Sequence, residues 1–457
     1  MPIKSKEDFN SHCLATPTPP SSVAAFLIKT SPVTQVSPAR PQWSAGLPTM
    51  SVLHANAHGW LLDACALIDR GVERCVGDRA AAGSSYACRF KKCYFDVAGP
   101  HVGTTPAEGP AASASHPRPP RKRKRKRSAL NQGEVDAQAY HGKIRAAVQE
   151  GSRSLVDAGR GCGHLAASRP EGRGPAASPQ ECRLAALCDL AKLLPPDEHG
   201  DSGPAQCVVG GGRPAAELDL FSRVTENPGD RAVEVTLMGE RYLVPARCRF
   251  LLSDVTRLQP LVSCGERFDL IVLDPPWENK SVKRSSRYGC LPSSQLKQLP
   301  VRQLSAPGCL VVTWVTNRAC HMRFVKEELY PHWGVELKAE WLWVKVTRGG
   351  EFVFPLDSLH KKPYEVLLLG YRGSRDGVPV GAETPLPDKR LIVSVPSALH
   401  SQKPPLSDVL KPYVRRDPKC LEMFARSLQP DWSSWGNEVL RFQHVSYYTK
   451  ENPAAST

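Results

Sequence analysis

The chain has no Cys-x-x-Cys pair, and no apolar run approaches the roughly 20 residues that cross a bilayer. Neither a clustered zinc site nor a spanning helix is therefore expected. Its 15 cysteines are scattered, and the nearest approaches, Cys88 with Cys93 and Cys182 with Cys188, have poor spacing for a tetrahedral metal. No signal-peptide pattern is legible, so reduced intracellular thiols are expected. A Gly-rich loop of the usual dinucleotide type is also missing. No metal and no membrane partner are expected.

What the chain has in excess is positive charge and proline. A net charge of +15 points to a polyanionic partner, and nucleic acid comes ahead of an acidic membrane surface because no basic amphipathic helix is evident. The 42 prolines exceed an average usage of about 5%, and many of them lie before residue 245. Composition is thus uneven along the chain.

Residues 1–49, rich in Ser, Thr and Pro, read as a disordered tail. Residues 50–127 read as a low-complexity region with a short helix, because Trp60, Leu61, Ala64, Leu67 and Ile68 recur at helical spacing. That region ends in the basic run Arg121–Arg127, which suits a nuclear import signal or a nucleic-acid arm better than a bare linker. Residues 128–245 read as a helical accessory region, with helices near 130–150 and 182–194. Residues 448–457 read as a second disordered tail.

Between 246 and 447 the texture is different. Strand-like runs at 249–255, 268–274, 309–316, 340–346, 364–370, 390–396 and 420–426 alternate with helical ones at 293–304, 318–330 and 407–416, the last with Ser407 as N-cap. Several runs are apolar throughout, as strands covered on both faces require. The fold class is therefore α/β with a mainly parallel sheet, preceded by a partly disordered, partly helical N-terminal region.

The chemistry concentrates at Asp274-Pro275-Pro276-Trp277, where the 268–274 strand stops. Ligands of open α/β sheets sit outside the carboxyl ends of the strands. A bare Asp-Pro turn would explain the prolines alone, but the tetrad also holds what alkylation of an aromatic amine needs. A carboxylate and a proline carbonyl accept the amine's hydrogens, the fixed φ of proline sets the carbonyl's direction, and an indole offers a face to a base. Downstream, Asn279, Lys280, Lys283, Arg284, Arg287 and Tyr288 form a basic loop suited to the flanking phosphates.

Asp274-Pro275-Pro276-Trp277 resembles the catalytic motif of the MT-A family of adenine-N(6) methyltransferases. The segments 310–318, 340–345, 359–370, 399–405, 421–426 and 428–438 follow in that family's order, over about 246–445. The resemblance implies a Rossmann-like methyltransferase domain with permuted motif order, because the tetrad precedes the 421–426 strand. It implies S-adenosyl-L-methionine as cofactor, held by Asp254, Val255, Asp274, Lys362, Glu422, Arg426, Asn437 and Glu438, with Lys361 the alternative to Lys362. Residues 131–145, 279–285, 352–358 and 435–445 are similar to a branch of the family that methylates 2′-O-methyladenosine in spliceosomal small nuclear RNA, with adenine in DNA as another substrate. That branch implies a nuclear enzyme, with cytosol or mitochondrion as alternatives, acting as a monomer with a protein partner left open. Two rival readings remain: a catalytically inactive nucleic-acid-binding adaptor of the same fold, and a methyltransferase acting on an amide.

Overall fold

The apolar run at 268–274 forms a strand whose side chains divide between two cores. Phe268, Ile271 and Leu273 enter one, while Leu270 and Val272 enter the other. Covering on both faces explains why this strand shows no polar alternation. A computed structural model describes residues 51–77, 85–100, 132–166, 205–208, 218–278, 291–358, 361–373, 382 and 384–451. These residues belong to the unit Pro48–Thr457. The 1–49 tail, the basic run at 121–127, the helix expected at 182–194 and the loop at 279–290 lie outside the described residues.

In chain order the strands are β1 (Val52–Asn56), β2 (Gly59–Leu62), β3 (Cys75–Val76), β4 (Ser85–Phe90), β5 (Gln206–Cys207), β6 (Thr225–Asn227), β7 (Ala232–Leu237), β8 (Glu240–Val244), β9 (Cys248–Leu251), β10 (Phe268–Leu273), β11 (Ser305–Val315), β12 (Val335–Lys345), β13 (Tyr364–Arg372), β14 (Leu391–Ser394), β15 (Cys420–Met423), β16 (Trp432–Trp435) and β17 (Tyr448–Glu451). Among the described residues twelve of them form one sheet in the order β1-β2-β14-β12-β13-β11-β10-β15-β16-β9-β6-β5. Its centre, β11-β10-β15-β16-β9, is parallel throughout. β10 is followed in sequence by β11 on one side and later by β15 on the other. The crevice at a strand-order reversal therefore opens beside the end of β10.

All seven strands expected between 246 and 447 are present. The helix expected from Trp60 onward starts later, because Trp60 and Leu61 belong to β2, and α1 (Ala64–Arg70) begins after Asp63, whose Oδ1 accepts from the backbone N–H of Cys65 and Ala66 at 3.0 Å each. β2 pairs in parallel with β14, and at Gly59 a Cβ would stand 1.9 Å from the Leu391 carbonyl oxygen, which only glycine permits. Residues 52–62 thus complete the main sheet instead of preceding it, and 246 is not a structural boundary.

The region expected to be helical up to 245 ends in a β-hairpin, β7–β8. Met238 and Gly239 join its strands at φ 52° and 82°, the double positive φ of a type I′ turn. β17 pairs with β4, so residues 448–451 are strand, drawn into a five-stranded sheet β17-β4-β3-β7-β8. Ser407 is the first helical residue rather than the N-cap, a position held by Leu406 without a side-chain bond. The helix expected at 130–150 is longer, α2 (Gln132–Gly161), and buries Val148, Leu155 and Val156 in the first of the two cores. At Gly151 and Gly159 of α2, added Cβ atoms would meet Leu391 and Leu61 at 2.6 and 2.8 Å, so small residues let the helix lie against the sheet edge.

Candidate active site

Five strand ends and one strand beginning share one edge. Asp274 follows β10, Asn317 follows β11, Phe424 and Arg426 follow β15, Asn437 and Glu438 follow β16, and Asp254 and Val255 follow β9, while Lys362 and Glu365 stand where antiparallel β13 begins. With neighbouring strands about 4.8 Å apart, the residues after β10 and β9 are separated by about 14 Å. That is the span of an elongated ligand lying across the ends.

Asp274 is the midpoint of a chain of alternating charges. Arg441 Nη1 meets Glu438 Oε1 at 2.8 Å, and Arg426 Nε meets Glu438 Oε2 at 3.1 Å. Arg426 Nη1 then donates to Asp274 Oδ2 at 2.8 Å, and Lys403 Nζ stands 3.4 Å from Asp274 Oδ1. Lys403 continues to Glu365 Oε2 at 3.0 Å, and Lys345 donates to the other oxygen of Glu365. Burial opposes ionisation of Glu365, yet Lys403 and Lys345 overcome it and hold this carboxyl well below the usual range. Burial likewise opposes the charge on Lys403, and Asp274 and Glu365 restore it above the ordinary lysine value.

Glu422 stands on β15 beside this chain. Burial pushes its pKa up to about 7, with the charge of Asp274 adding to the rise; the bond from Gln429 Nε2 at 3.0 Å and the charge of Arg426 pull the other way. Gln402 and Gln429 line the same recess as Asp274, Glu422 and Arg426, and each has a buried Oε1 with no partner among the described residues. Two orphaned acceptors beside Asp274 suit a ligand that donates several hydrogens from one atom.

The strand's end sets the tetrad's geometry. Asp274 N–H bonds Met423 O at 3.3 Å, after which Pro275 and Pro276 have no N–H to continue the ladder. Pro275 O accepts from Trp277 N at 2.8 Å and Pro276 O from Leu291 N at 3.1 Å, leaving each carbonyl a second lone pair. Trp277 corrects the expectation of an open stacking platform. The residue is 8% exposed, its Nε1–H donates to Trp314 O at 2.8 Å, and His321 lies nearly parallel to its ring at 5.0 Å. A buried indole N–H requires an acceptor, and that bond turns the ring inward. Burial, with the charge of Arg318, pushes the His321 pKa down to about 4, so a neutral imidazole covers the indole.

Phe424, φ 61°, reverses the chain after β15 and brings Arg426 back toward Asp274. The reversal needs close backbone contact: Ala425 N bonds Trp435 O at 2.9 Å, and a Cβ on Gly436 would stand 2.8 Å from Ala425 O.

Of the sequence-selected residues, Asp274, Arg426, Glu422 and Glu438 come together. Asn437 is exposed at the end of β16, and Asp254 Oδ1 accepts from Thr256 N and Oγ1 at 3.0 and 2.6 Å in the turn after β9. Val255 packs against the first core. Lys362 does not join the cluster: the acid it feels is Asp357, and Lys403 holds the place beside Asp274. Lys403 and Glu365 were the residues missed; both lie in segments matched by family order, 399–405 and 359–370, but neither carries a motif of its own. Asn279, Lys280, Lys283, Arg284, Arg287 and Tyr288 lie outside the described residues. Among the described residues no group of three or more His, Cys, Asp or Glu side chains could hold a metal, and no helix is long and apolar enough to cross a membrane.

The MT-A70 family model matches residues 268–438. The human N(6)-adenine-specific methyltransferase METTL4 is 51% identical over 70% of this chain and 69% of its own length. The N6-methyladenosine RNA methyltransferase MTA1 of Pyricularia oryzae is 36% identical over 45% of this chain and 56% of its own. The DNA N6-methyl methyltransferase of Caenorhabditis elegans is 33% identical over 46% and 57%.

Proposed function

This chain belongs to the MT-A70 family and is an S-adenosylmethionine-dependent adenine-N(6) methyltransferase of nucleic acid, and from that premise we propose that its substrate is 2′-O-methyladenosine in spliceosomal small nuclear RNA, methylated in the nucleus. The observation that carries the chemistry is Asp274, aimed into the crevice by β10 and held between Arg426 and Lys403.

S-adenosylmethionine supplies an electrophilic methyl group. The residues present fit it: Arg426 suits a carboxylate, the orphaned oxygens of Gln402 and Gln429 suit an ammonium group, and Glu438, Asn437 and Asp254 suit hydroxyls and an adenine edge along the strand ends. An exocyclic adenine nitrogen is a poor nucleophile because its lone pair is delocalised. Asp274 and the free lone pair of the Pro275 carbonyl accept its two hydrogens and fix its direction, which is a positioning and electrostatic contribution. For Asp274 to do so, Lys403 shifts its weight to Glu365, which already holds it at the shorter distance.

The small-nuclear-RNA reading is supported by two features resembling one branch of the family, which meet in the fold. Asp357, in the segment 352–358, accepts from Arg145 Nε at 2.7 Å and Nη2 at 2.8 Å, and both Arg145 and the neighbouring His141 belong to α2. Together they form one unit beside the start of β13. The basic run at 121–127 supports nuclear import. Mass spectrometry of nucleosides from cells with and without the protein tests the reading: loss of N(6),2′-O-dimethyladenosine from small nuclear RNA supports it. An unchanged level there with a fall of N(6)-methyladenine in DNA overturns it in favour of a DNA substrate.

A further inference from the structure

Asp274 divides the strand ends into two halves. Apart from Gln402, which lies in the loop after β14, the residues that fit the cofactor follow β15, β16 and β9, all on one side of β10, whereas β11 and β13 lie on the other. Val315 of β11 pairs with Val366 of antiparallel β13, so the end of β11 and the beginning of β13 share the active-site edge. Displacement at a methyl carbon is in line, with the nucleophile opposite the leaving group. The base is therefore received on the β11–β13 half.

Lys362 stands on that half, two residues before β13. Its Nζ is buried without a hydrogen-bond partner among the described residues. The acid whose charge it feels, Asp357, is already taken by Arg145 and His141. Close by, Asn317 Nδ2 donates to Tyr364 O at 2.6 Å and presents a second buried, unpartnered atom, Oδ1. Burial lowers the lysine's pKa and Asp357 offsets this only in part, so the ammonium lacks a close anion. Two strand spacings, about 10 Å, separate the end of β10 from the beginning of β13, within reach of the backbone next to a base seated at Asp274.

We propose that Lys362 binds a backbone phosphate adjoining the target adenosine, and is thus a substrate contact on the side opposite the cofactor. The proposal rests on the reading that nucleic acid is the substrate. The probe is a fluorescein-labelled single-stranded RNA nonamer with one 2′-O-methyladenosine among uridines, bound at several salt concentrations to wild type, Lys362→Met and Lys362→Gln. Both variants are expected to bind it about tenfold more weakly, and the slope of log K against log salt is expected to shrink by about 0.7, the value for one phosphate of a single strand. Affinity for S-adenosylmethionine by calorimetry stays at the wild-type value, and the melting temperature of Lys362→Met is equal or higher because an orphaned charge has been removed. Replacing single linkages by neutral methylphosphonates weakens wild-type binding at one position and leaves Lys362→Met unaffected there.

Unchanged RNA affinity and salt slope in both variants overturn the proposal. Loss of S-adenosylmethionine affinity alone overturns it too, and returns Lys362 to the cofactor. Wild-type protein that methylates neither this RNA nor its DNA counterpart overturns the substrate reading instead.

Discussion

Arg426 is bound to Asp274 through Nη1 at 2.8 Å while its Nε holds Glu438 at 3.1 Å, so one guanidinium spans the ends of β10 and β16 from its own place after β15. The side chains of Arg426 and Asp274 are 14% and 13% exposed, and in such surroundings removing one member of the pair leaves the other with a single opposite charge, Glu438 for Arg426 or Lys403 for Asp274. Catalytic geometry and the stability of the strand ends therefore depend on the same contacts.

The Lys345–Glu365–Lys403 segment has a direct consequence. Glu365→Gln leaves two ammonium groups facing one neutral amide and is expected to lower stability by about 3 kcal/mol. The double variant Glu365→Gln with Lys345→Met recovers part of that loss, and a double-mutant cycle in urea measures the coupling. Because Lys403 loses its alternative partner, kcat falls more than the affinity for the cofactor.

Trp277→Phe removes the indole N–H and leaves Trp314 O unsatisfied, at a cost of about 1–3 kcal/mol in denaturant unfolding. The ring remains buried over His321 and does not face the base, so RNA affinity stays at the wild-type value. A wild-type unfolding midpoint would show that the 2.8 Å bond contributes nothing.

Glu422 predicts a pH dependence. Its folded pKa is raised to about 7, above the unfolded value, so the folded state binds this proton more tightly. That contribution is complete below the unfolded pKa and is lost as pH rises through about 7. Glu422→Gln removes it, and its stability relative to wild type rises by up to about 3 kcal/mol between acid and mildly alkaline pH. Thermal melts of both proteins across that range check the sign.

Much of this fold was legible and part was not, for identifiable reasons. The strands buried on both faces, β10 and β11, announce themselves as unbroken apolar runs. The β7–β8 hairpin did not, because its turn places Met238 where Asn or Asp would have signalled positive φ. β2 read as part of a helix because Trp60 and Leu61 fall in phase with α1; only pairing with β14, distant in sequence, makes it a strand. At the site, Asp274 and Arg426 sit in recognisable motifs. Lys403 and Lys362 are both lysines beside a proline, and what separates them is whether a carboxylate lies within reach, which sequence spacing does not carry.

Gly436→Ala tests the backbone that carries this arrangement. Its Cβ would stand 2.8 Å from Ala425 O, between two buried backbone segments. Overpacking of this kind costs about 1–3 kcal/mol, and the displaced Ala425 moves Arg426 with it. Cofactor affinity therefore falls together with stability, whereas a purely local clash would lower stability alone.

The central claim is that Asp274 acts on the amine of the target adenine. Single-turnover methyl transfer to RNA by Asp274→Asn, with RNA affinity measured on the same preparation, tests it most directly. The carboxamide keeps the shape and loses one acceptor and the charge, so the rate is expected to fall by about 10³-fold or more, while RNA binding stays at the wild-type level. A variant that transfers the methyl group at the wild-type rate, or loses rate only in proportion to RNA affinity, would contradict the assignment.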